Sequence, residues 1–199
     1  MAKFNEFEFR KQPWFDQTKF QGFNSVIPMK TIVIHCFDPR ATEIPQAVAK
    51  YFGDEVYPGE NILDQAGNRV GSTRTLFVLT NAGGRALGAL QSIATMDYLF
   101  AYEKVVVVHH SFCGATALTP EVLIDRFRDQ HHADISNMFD HDSLSIPHFE
   151  ESVKYDLELL RASPAVPKHI KLYGFFYEIN SGKLIEIAQD VPAQVATAG

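Results

Sequence analysis

The sequence predicts an α/β domain built around a largely parallel sheet. Three short apolar runs carry this prediction: TIVIH at 31–35, LFVLT at 76–80 and KVVVVHH at 104–110. They are rich in β-branched residues and apolar on both faces, as buried parallel strands are. Segments with helical periodicity separate and follow them, and this alternation is typical of a parallel sheet covered by helices.

Four segments have the spacing of amphipathic helices. The first ends near Gly53, the second has Leu87, Leu90, Ala94 and Tyr98 on one face, the third begins at Thr119-Pro120, and the fourth begins near Phe149 and stops at Ser163-Pro164. KHIKLYGFFYEI and KLIEI flank Asn180-Ser181-Gly182, which predicts a strand, a turn and a strand. Residues 53–72 are full of turn formers and are predicted to be loop.

The chain is predicted to hold one domain. Residues 1–30 form an aromatic arm that cannot build its own core and is expected to pack on the domain or on a partner subunit. Residues 31–189 form the α/β domain, and residues 190–199 are predicted to be a loose tail.

Composition excludes several classes of function. The net charge is −6 and Lys and Arg do not cluster, which argues against nucleic acid as a partner. No run of eighteen apolar residues and no export signal is present, so we expect neither a membrane partner nor secretion. Two cysteines in 199 residues indicate reduced thiols in a cytoplasmic protein.

The residues that could bind a metal ion lie at the ends of the predicted strands. Cys36 ends the first run, and His110 ends the third and is followed three residues later by Cys113. Ligands of parallel sheets bind outside the carboxyl ends of the strands. If these strands are neighbours, two sulfur atoms and one imidazole converge into a Cys₂His zinc site that leaves a fourth position for water or substrate.

Residues 36–40, Cys-Phe-Asp-Pro-Arg, fit a C-x-D-x-R motif, and residues 110–114, His-Ser-Phe-Cys-Gly, fit H-x-x-C-G. With these two motifs the chain resembles the β-class carbonic anhydrases over roughly residues 30–187, and 81–84, Asn-Ala-Gly-Gly, is similar to that family's N-A-G-[GN] turn. The resemblance implies a four-stranded parallel sheet with an added antiparallel strand, flanked by helices. It also implies a homodimer, or a dimer of dimers, clasped by N-terminal helical arms.

The resemblance further implies one Zn²⁺ per chain, held by Cys36, His110 and Cys113. Asp38 would then accept a hydrogen bond from the zinc-bound water, while Arg40 keeps Asp38 ionised. The family also has a closed resting form in which this aspartate becomes the fourth zinc ligand. The sequence leaves both roles of Asp38 open.

The substrate predicted from this resemblance is a small linear heterocumulene. Phe37 and Phe112 are bulky where relatives usually carry smaller or polar residues, and with Ala82 and Gly83 they are predicted to line a narrow, dry pocket. Zinc-bound hydroxide would attack either CO₂, giving bicarbonate, or carbonyl sulfide, giving H₂S and CO₂, and the sequence does not choose between them.

One alternative function and two further groups of residues are considered beside this interpretation. The protein could be a non-catalytic, zinc-stabilised binding or redox-sensing module with Asp38 as a permanent fourth ligand. His35 and His109, next to the ligands, are expected to be core histidines that point the other way. A polar loop could bind a second metal, but a solvated loop is the stronger expectation; its candidate ligands are His131, His132, Asp134, Asp140, His141 and Asp142.

Overall fold

The computed structural model of the protein describes residues 3–193. Its strands are β1 (Thr31–Cys36), β2 (Asn61–Leu63), β3 (Arg69–Ser72), β4 (Leu76–Asn81), β5 (Lys104–His110), β6 (Lys171–Glu178) and β7 (Lys183–Asp190). Five of them form one sheet in the order β4-β1-β5-β6-β7. The first four are parallel and β7 is antiparallel to β6. The predicted four parallel strands with one added antiparallel strand are therefore confirmed.

Helices cover both faces of this sheet. These helices are α1 (Ile44–Phe52), α2 (Leu90–Leu99) and the last helix, α4 (Phe149–Ala162), while α3 (Pro120–His131) follows β5 in the chain. Alternate side chains of β1 enter two separate cores, since Ile32 and Ile34 pack with residues of α2 and α4, whereas Val33 packs with α1. Burial on both faces explains why the central residues of β1 and β5 are apolar.

The buried face of α2 differs from the predicted one. Ala94 and Tyr98 are exposed, and Ile93 is the buried residue of this helix. A 3₁₀ turn at Leu87–Ala89 precedes α2. Because a 3₁₀ turn has three residues per turn instead of 3.6, it rotates the face that an uninterrupted helical period would present to the sheet.

The prediction of loop throughout residues 53–72 is wrong. β2 and β3 pair as a small antiparallel hairpin, with a turn in which the Asp64 carboxylate accepts from the backbone N–H groups of Ala66 and Asn68 at 2.9 and 2.8 Å. Both strands are very short and leave most of their residues exposed. Without a buried face they carry no alternation that would reveal them in the sequence.

The aromatic arm has little regular structure of its own. Its helical parts are three short 3₁₀ segments, Lys3–Phe7, Phe9–Lys11 and Gln17–Lys19. Phe20 and Phe23 attach it to the domain through ring contacts with Tyr98 and Phe100, whose centroids lie 5.6 and 6.1 Å away.

The last strand of the sheet reaches the first residue of the predicted tail. Asp190, the first residue of the predicted tail, is the last residue of β7, and its carboxylate accepts from Nε of Arg161 at 2.6 Å. Residues 194–199 of the tail lie outside the described residues. Across the part of the chain that the structure covers, none of the helices has the length and apolar character needed to cross a membrane.

Candidate metal centre

The chain brings its two cysteines together at the carboxyl edge of the sheet. β1 and β5 are adjacent and in register, so that Cys36 and His110 end side by side. Cys113 returns to the same edge through a turn in which Phe112 has the left-handed backbone angle φ +56°. The strands that end at Cys36 and His110 are therefore neighbours, as the prediction of a shared metal site required.

The geometry of these three side chains fits a metal ion. One ligand atom from each of Cys36, His110 and Cys113 lies within 4.8 Å of the others, and all three residues are buried. The two Sγ atoms are 3.9 Å apart and not joined in a disulfide. Zn–S bonds of about 2.3 Å at a tetrahedral angle separate two sulfur ligands by roughly 3.8 Å. The donor set and the spacing could hold a metal ion, and zinc has bond lengths that fit them.

His110 presents a free lone pair to this centre. Its Nδ1 lies 2.9 Å from the carbonyl oxygen of Ser111, which can only accept, so Nδ1 carries the proton and Nε2 is unprotonated. Nε2 is buried without a hydrogen-bond partner. Burial also lowers the pKa of His110, which favours the neutral ring. An orphaned, neutral imidazole nitrogen beside two sulfur atoms is what a metal ion would satisfy.

The electrostatics of the two thiols also favour a cation. Burial, and then the neighbouring Cys36, raise the pKa of Cys113 to about 11. Two adjacent thiolates in a buried site repel each other and lack solvation, so the protein without metal keeps Cys113 protonated. A divalent ion supplies the positive charge that reverses this preference.

Asp38 and Arg40 form a bidentate pair beside the centre. Arg40 Nε donates to Oδ1 of Asp38 at 3.0 Å and Nη2 donates to Oδ2 at 2.6 Å, while the backbone N–H of Arg40 donates to Oδ1 at 2.9 Å. These hydrogen bonds hold the pKa of Asp38 well below its usual range. Arg40 Nη2 also donates to the carbonyl oxygen of Phe112 at 3.0 Å, which ties the pair to the turn before Cys113.

Asp38 does not take the place of a fourth ligand. Among the described residues, the cluster of possible ligands contains Cys36, His110 and Cys113 and no carboxylate. Each carboxylate oxygen of Asp38 accepts a hydrogen bond from Arg40. In this structure Asp38 is therefore paired with Arg40 and lies outside the Cys36, His110 and Cys113 cluster.

The Asn81–Gly84 turn packs directly on the end of β1. Gly84 has φ +70°, and a Cβ there would lie 2.7 Å from the backbone nitrogen of Cys36 and 2.8 Å from Cα of His35. Since contacts this short with backbone atoms are not tolerated, only glycine allows the turn to approach the ligand so closely.

A cavity of about 490 Å³ opens beside the centre. Its apolar lining comes from Phe37, Pro39, Ala82, Ala115, Leu118 and Leu144. Gly83, Asp38 and Arg40 also border it. Three of the four predicted pocket residues, Phe37, Ala82 and Gly83, therefore line this cavity.

Phe112 is the exception among the predicted pocket residues. It does not line the cavity, and it is 67% exposed. Its left-handed backbone conformation turns the carbonyl oxygen toward Arg40, and the ring lies in solvent. Phe37 lines the cavity but is itself 66% exposed, so its ring stands at the mouth.

The other predicted histidine roles can be compared with their surroundings. Nδ1 of His35 lies 2.7 Å from the carbonyl oxygen of Cys36, and Nε2 of His109 lies 3.1 Å from Oδ2 of Asp156. Both histidines are buried and neither belongs to the metal cluster. The polar loop makes no second cluster within the described residues, and two of its carboxylates accept hydrogen bonds from other groups, Asp134 from the N–H of Ser136 and Asp140 from the hydroxyl of Tyr155.

Sequence reasoning missed several residues around the centre. Leu118 and Leu144 line the cavity from loops whose local sequence gives no hint of it. Arg85 and Asp156 form a fully buried ion pair next to the Asn81–Gly84 turn. One signal was available, since Asp156 lies among Val153, Leu157 and Leu160 on the apolar face of α4. An acid in such a position requires a buried partner.

Comparison with known proteins gives a consistent result. No protein-family model matches the sequence. The chain is 26% identical over 147 residues to a carbon disulfide hydrolase of Acidithiobacillus thiooxidans, covering 66% of this chain and 71% of the relative. It is 27% identical over 111 residues to β-carbonic anhydrase 1 of Mycobacterium tuberculosis, covering 55% and 66%. A solved structure of carbonic anhydrase from Streptococcus mutans has the same fold, with a TM-score of 0.62, 24% identity and coverage of 94% and 99%.

A largely parallel sheet whose carboxyl edge carries two cysteine sulfurs and one imidazole places the protein among α/β proteins with a candidate Cys₂His metal centre. The relatives narrow this class. The chain is similar in sequence to enzymes of the β-class carbonic anhydrase family, a carbon disulfide hydrolase among them, and it shares the fold of a solved carbonic anhydrase.

Proposed function

We propose that this protein is a zinc enzyme that adds water to a small linear heterocumulene, namely CO₂, carbonyl sulfide or carbon disulfide. The observation that carries the proposal is the unpartnered Nε2 of His110 beside the two cysteine sulfurs, at the same edge as a paired Asp38 and Arg40. The names of the relatives, a β-carbonic anhydrase and a carbon disulfide hydrolase, support this substrate class.

Cys36, His110 and Cys113 would hold the zinc ion. When bound, zinc supplies the Lewis acidity that makes water nucleophilic near neutral pH. Asp38 is ionised and held by Arg40, so it can accept a hydrogen bond from water and orient a lone pair toward substrate. Arg40 fixes the carboxylate by two parallel hydrogen bonds, which define its direction as well as its charge.

The three reactions share one chemical step, in which a water oxygen bonds to the central carbon. With CO₂ the products are bicarbonate and a proton. With carbonyl sulfide the carbon–sulfur bond then breaks, and CO₂ and H₂S leave. Carbon disulfide requires two waters and gives CO₂ and two H₂S through carbonyl sulfide.

The character of the cavity supports a poorly hydrated substrate. Its lining is largely apolar, and Asp38 and Arg40 are its charged groups. An apolar wall suits an uncharged linear molecule, because it offers water few hydrogen-bond partners. We hold CO₂ and the sulfur-containing substrates as equal candidates, since one attack serves all of them.

The experiment is a direct comparison of substrates on one zinc-loaded preparation. CO₂ hydration would be followed by stopped flow, and H₂S release would be measured from carbonyl sulfide and from carbon disulfide. The Asp38→Asn variant, made and loaded in the same way, is the control for background catalysis by the metal. Zinc-loaded protein that turns over none of the three between pH 6 and 9 would refute the proposal.

The alternative of a zinc-stabilised module makes a different prediction. It requires Asp38 as a permanent fourth ligand and a fold that depends on the metal. The pairing of Asp38 with Arg40 favours the catalytic proposal. Removal of zinc by a chelator would unfold a structural module, whereas two large apolar cores should keep this enzyme folded at room temperature.

A homodimer clasped by residues 1–30 is the second part of the proposal. Phe4, Phe7 and Trp14 of the arm are 77%, 73% and 68% exposed in the single chain. Aromatic side chains exposed in this number on one segment are typical of an interface. A second copy of this chain is the occupant that we propose.

A further inference from the structure

A buried ion pair connects the Asn81–Gly84 turn to helix α4. Nε of Arg85 donates to the two carboxylate oxygens of Asp156 at 3.3 and 3.0 Å, and the two side chains are only 3% and 0% exposed. His109 lies on the same carboxylate, at 3.1 Å. Moving two charges out of water costs about as much free energy as their attraction contributes. A buried ion pair is therefore weak evidence that its residues serve stability alone.

Arg85 also bonds to the segment that precedes α4. Its Nη1 donates to the backbone carbonyl oxygen of Ser145, a buried residue. The backbone of Arg85 is itself fixed, since the Asn81 side chain accepts from its N–H and donates to its carbonyl oxygen, each at 2.8 Å. One guanidinium group therefore joins the turn beneath Cys36, helix α4 and Ser145.

The residues on either side of Ser145 face the metal centre. We call residues 144–146 the wall segment. Leu144 lines the cavity, and Ile146 packs in one buried cluster with Cys36 and Cys113. Ile146 is 1% exposed, and its N–H donates to the carbonyl oxygen of Ala115 at 3.0 Å. The hydrogen bond from Arg85 therefore reaches Ser145, which lies between Leu144 in the cavity wall and Ile146 beside the cysteines.

We propose that Arg85 is a positioning residue that holds the wall segment against the two cysteines. Through this contact Leu144 sets the width of the cavity and so the choice of substrate, and Ile146 keeps water away from the sulfur atoms. The part that concerns substrate choice rests on the proposed function. Arginine is required because its planar fork can bind a carboxylate through Nε and a carbonyl oxygen through Nη1 at once, whereas the lysine ammonium group is a point charge.

The first test needs no turnover. Iodoacetamide would be used at one pH to alkylate Cys36 and Cys113 in metal-free protein, with the labelled peptides quantified by mass spectrometry. Arg85→Lys keeps a positive charge opposite Asp156 and loses the fork. We expect alkylation to become faster by about tenfold, because the wall segment opens locally more often. Equal rates in a folded Arg85→Lys variant and in wild type would overturn the positioning role.

A second variant keeps the proposal testable if Arg85→Lys does not fold. The double variant Arg85→Met/Asp156→Asn removes both buried charges together and leaves neither unpaired. Arg128→Met/Asp125→Asn is the matched control, because it removes an exposed ion pair in α3. Circular dichroism and the urea midpoint would establish that each variant is folded. The buried double variant should expose the thiols as Arg85→Lys does, and the α3 control should behave as wild type.

The substrate role of Leu144 is tested separately. Leu144→Ala should change the ratio of kcat/KM for carbonyl sulfide to that for CO₂ by about tenfold or more, mainly through KM, because it removes methyl groups from the cavity wall. Arg85→Lys should shift the ratio in the same direction. An unchanged ratio in Leu144→Ala would overturn the specificity role. If wild type turns over no substrate at all, the proposed function fails, and the thiol measurement alone still decides the role of Arg85.

Discussion

The Sγ atoms of Cys36 and Cys113 lie 3.9 Å apart although 77 residues separate them in the chain. Cys36 ends one buried strand, Cys113 follows the end of another through a short turn, and the two strands are neighbours in the sheet. With Nε2 of His110 left unpartnered beside them, the site has the donors and the spacing that a zinc ion needs.

Loss of either sulfur should remove the metal. Cys36→Ser and Cys113→Ser each replace a thiolate ligand by a hydroxyl that does not ionise near neutral pH, so we expect most of the bound zinc to be lost. Zinc per chain would be measured by atomic emission after gel filtration. Asp38→Asn is the control and should retain close to one zinc. Full zinc content in either serine variant would contradict the assignment of the ligands.

The Asp38–Arg40 pair should affect rate and not metal content. Asp38→Asn removes the charge that accepts a hydrogen bond from water, and we expect kcat to fall by about 10²- to 10³-fold, as when one oriented polar group is lost from an active site. Arg40→Lys keeps the positive charge but not the two parallel hydrogen bonds, so its effect should be intermediate. Stopped-flow rates normalised to zinc content would measure both, and an Asp38→Asn variant as fast as wild type would exclude this role.

Substitution of Gly84 should damage the end of β1. Gly84→Ala places a Cβ within 2.8 Å of the backbone of His35 and Cys36 in addition to the strain of φ +70°. Gly53→Ala has a similar angle, φ +74°, with nothing within 4 Å, and is the matched control for the strain alone. We expect Gly53→Ala to cost about 1 kcal/mol in the free energy of unfolding and Gly84→Ala about 2 kcal/mol or more beyond that. Urea denaturation would measure the difference, and equal losses would mean that the turn can move away.

The stability of the metal-free protein should fall in alkali. The pKa of Cys113 is raised to about 11 from an ordinary value of 9.0, so above pH 9 the unfolded chain loses this proton more readily than the folded chain. The folded state then binds more protons, and the free energy of unfolding decreases as pH rises from about 9 toward 11. Urea midpoints with chelator present, for wild type and Cys113→Ala, isolate this contribution from that of the tyrosines. Identical pH dependence in the two proteins would contradict the prediction.

The arm should control the state of association. Replacing Phe4, Phe7 and Trp14 together by serine removes exposed aromatic surface without touching the domain core. We expect the molar mass from light scattering to fall from that of a dimer or larger assembly to that of a monomer. The control replaces three exposed apolar side chains elsewhere, Val122, Phe127 and Met138, and should leave the mass unchanged. A wild-type protein that is already monomeric would rule out the clasp.

Much of the fold was accessible from local patterns. The runs around Ile32 and Val106 are apolar on both faces, and this alone predicted central strands because few other elements are buried all round. The hairpin of β2 and β3 was not accessible, since its residues bury almost nothing and leave no periodicity. The face of α2 was mispredicted because a 3₁₀ turn at Leu87–Ala89 altered the helical phase.

The sequence by itself determined which atoms could bind metal. Cys36, His110, Cys113, Asp38 and Arg40 are recognisable because donor type and short spacing are local properties of the chain. The tertiary structure decided what surrounds them. Leu144 and Ile146 reach the centre from a distant loop, on either side of the Ser145 carbonyl that accepts from Arg85, and the Phe112 ring is exposed where its carbonyl oxygen accepts from Arg40. Contacts between segments that lie 60 residues apart leave no periodic trace in the sequence, and only the folded chain defines them.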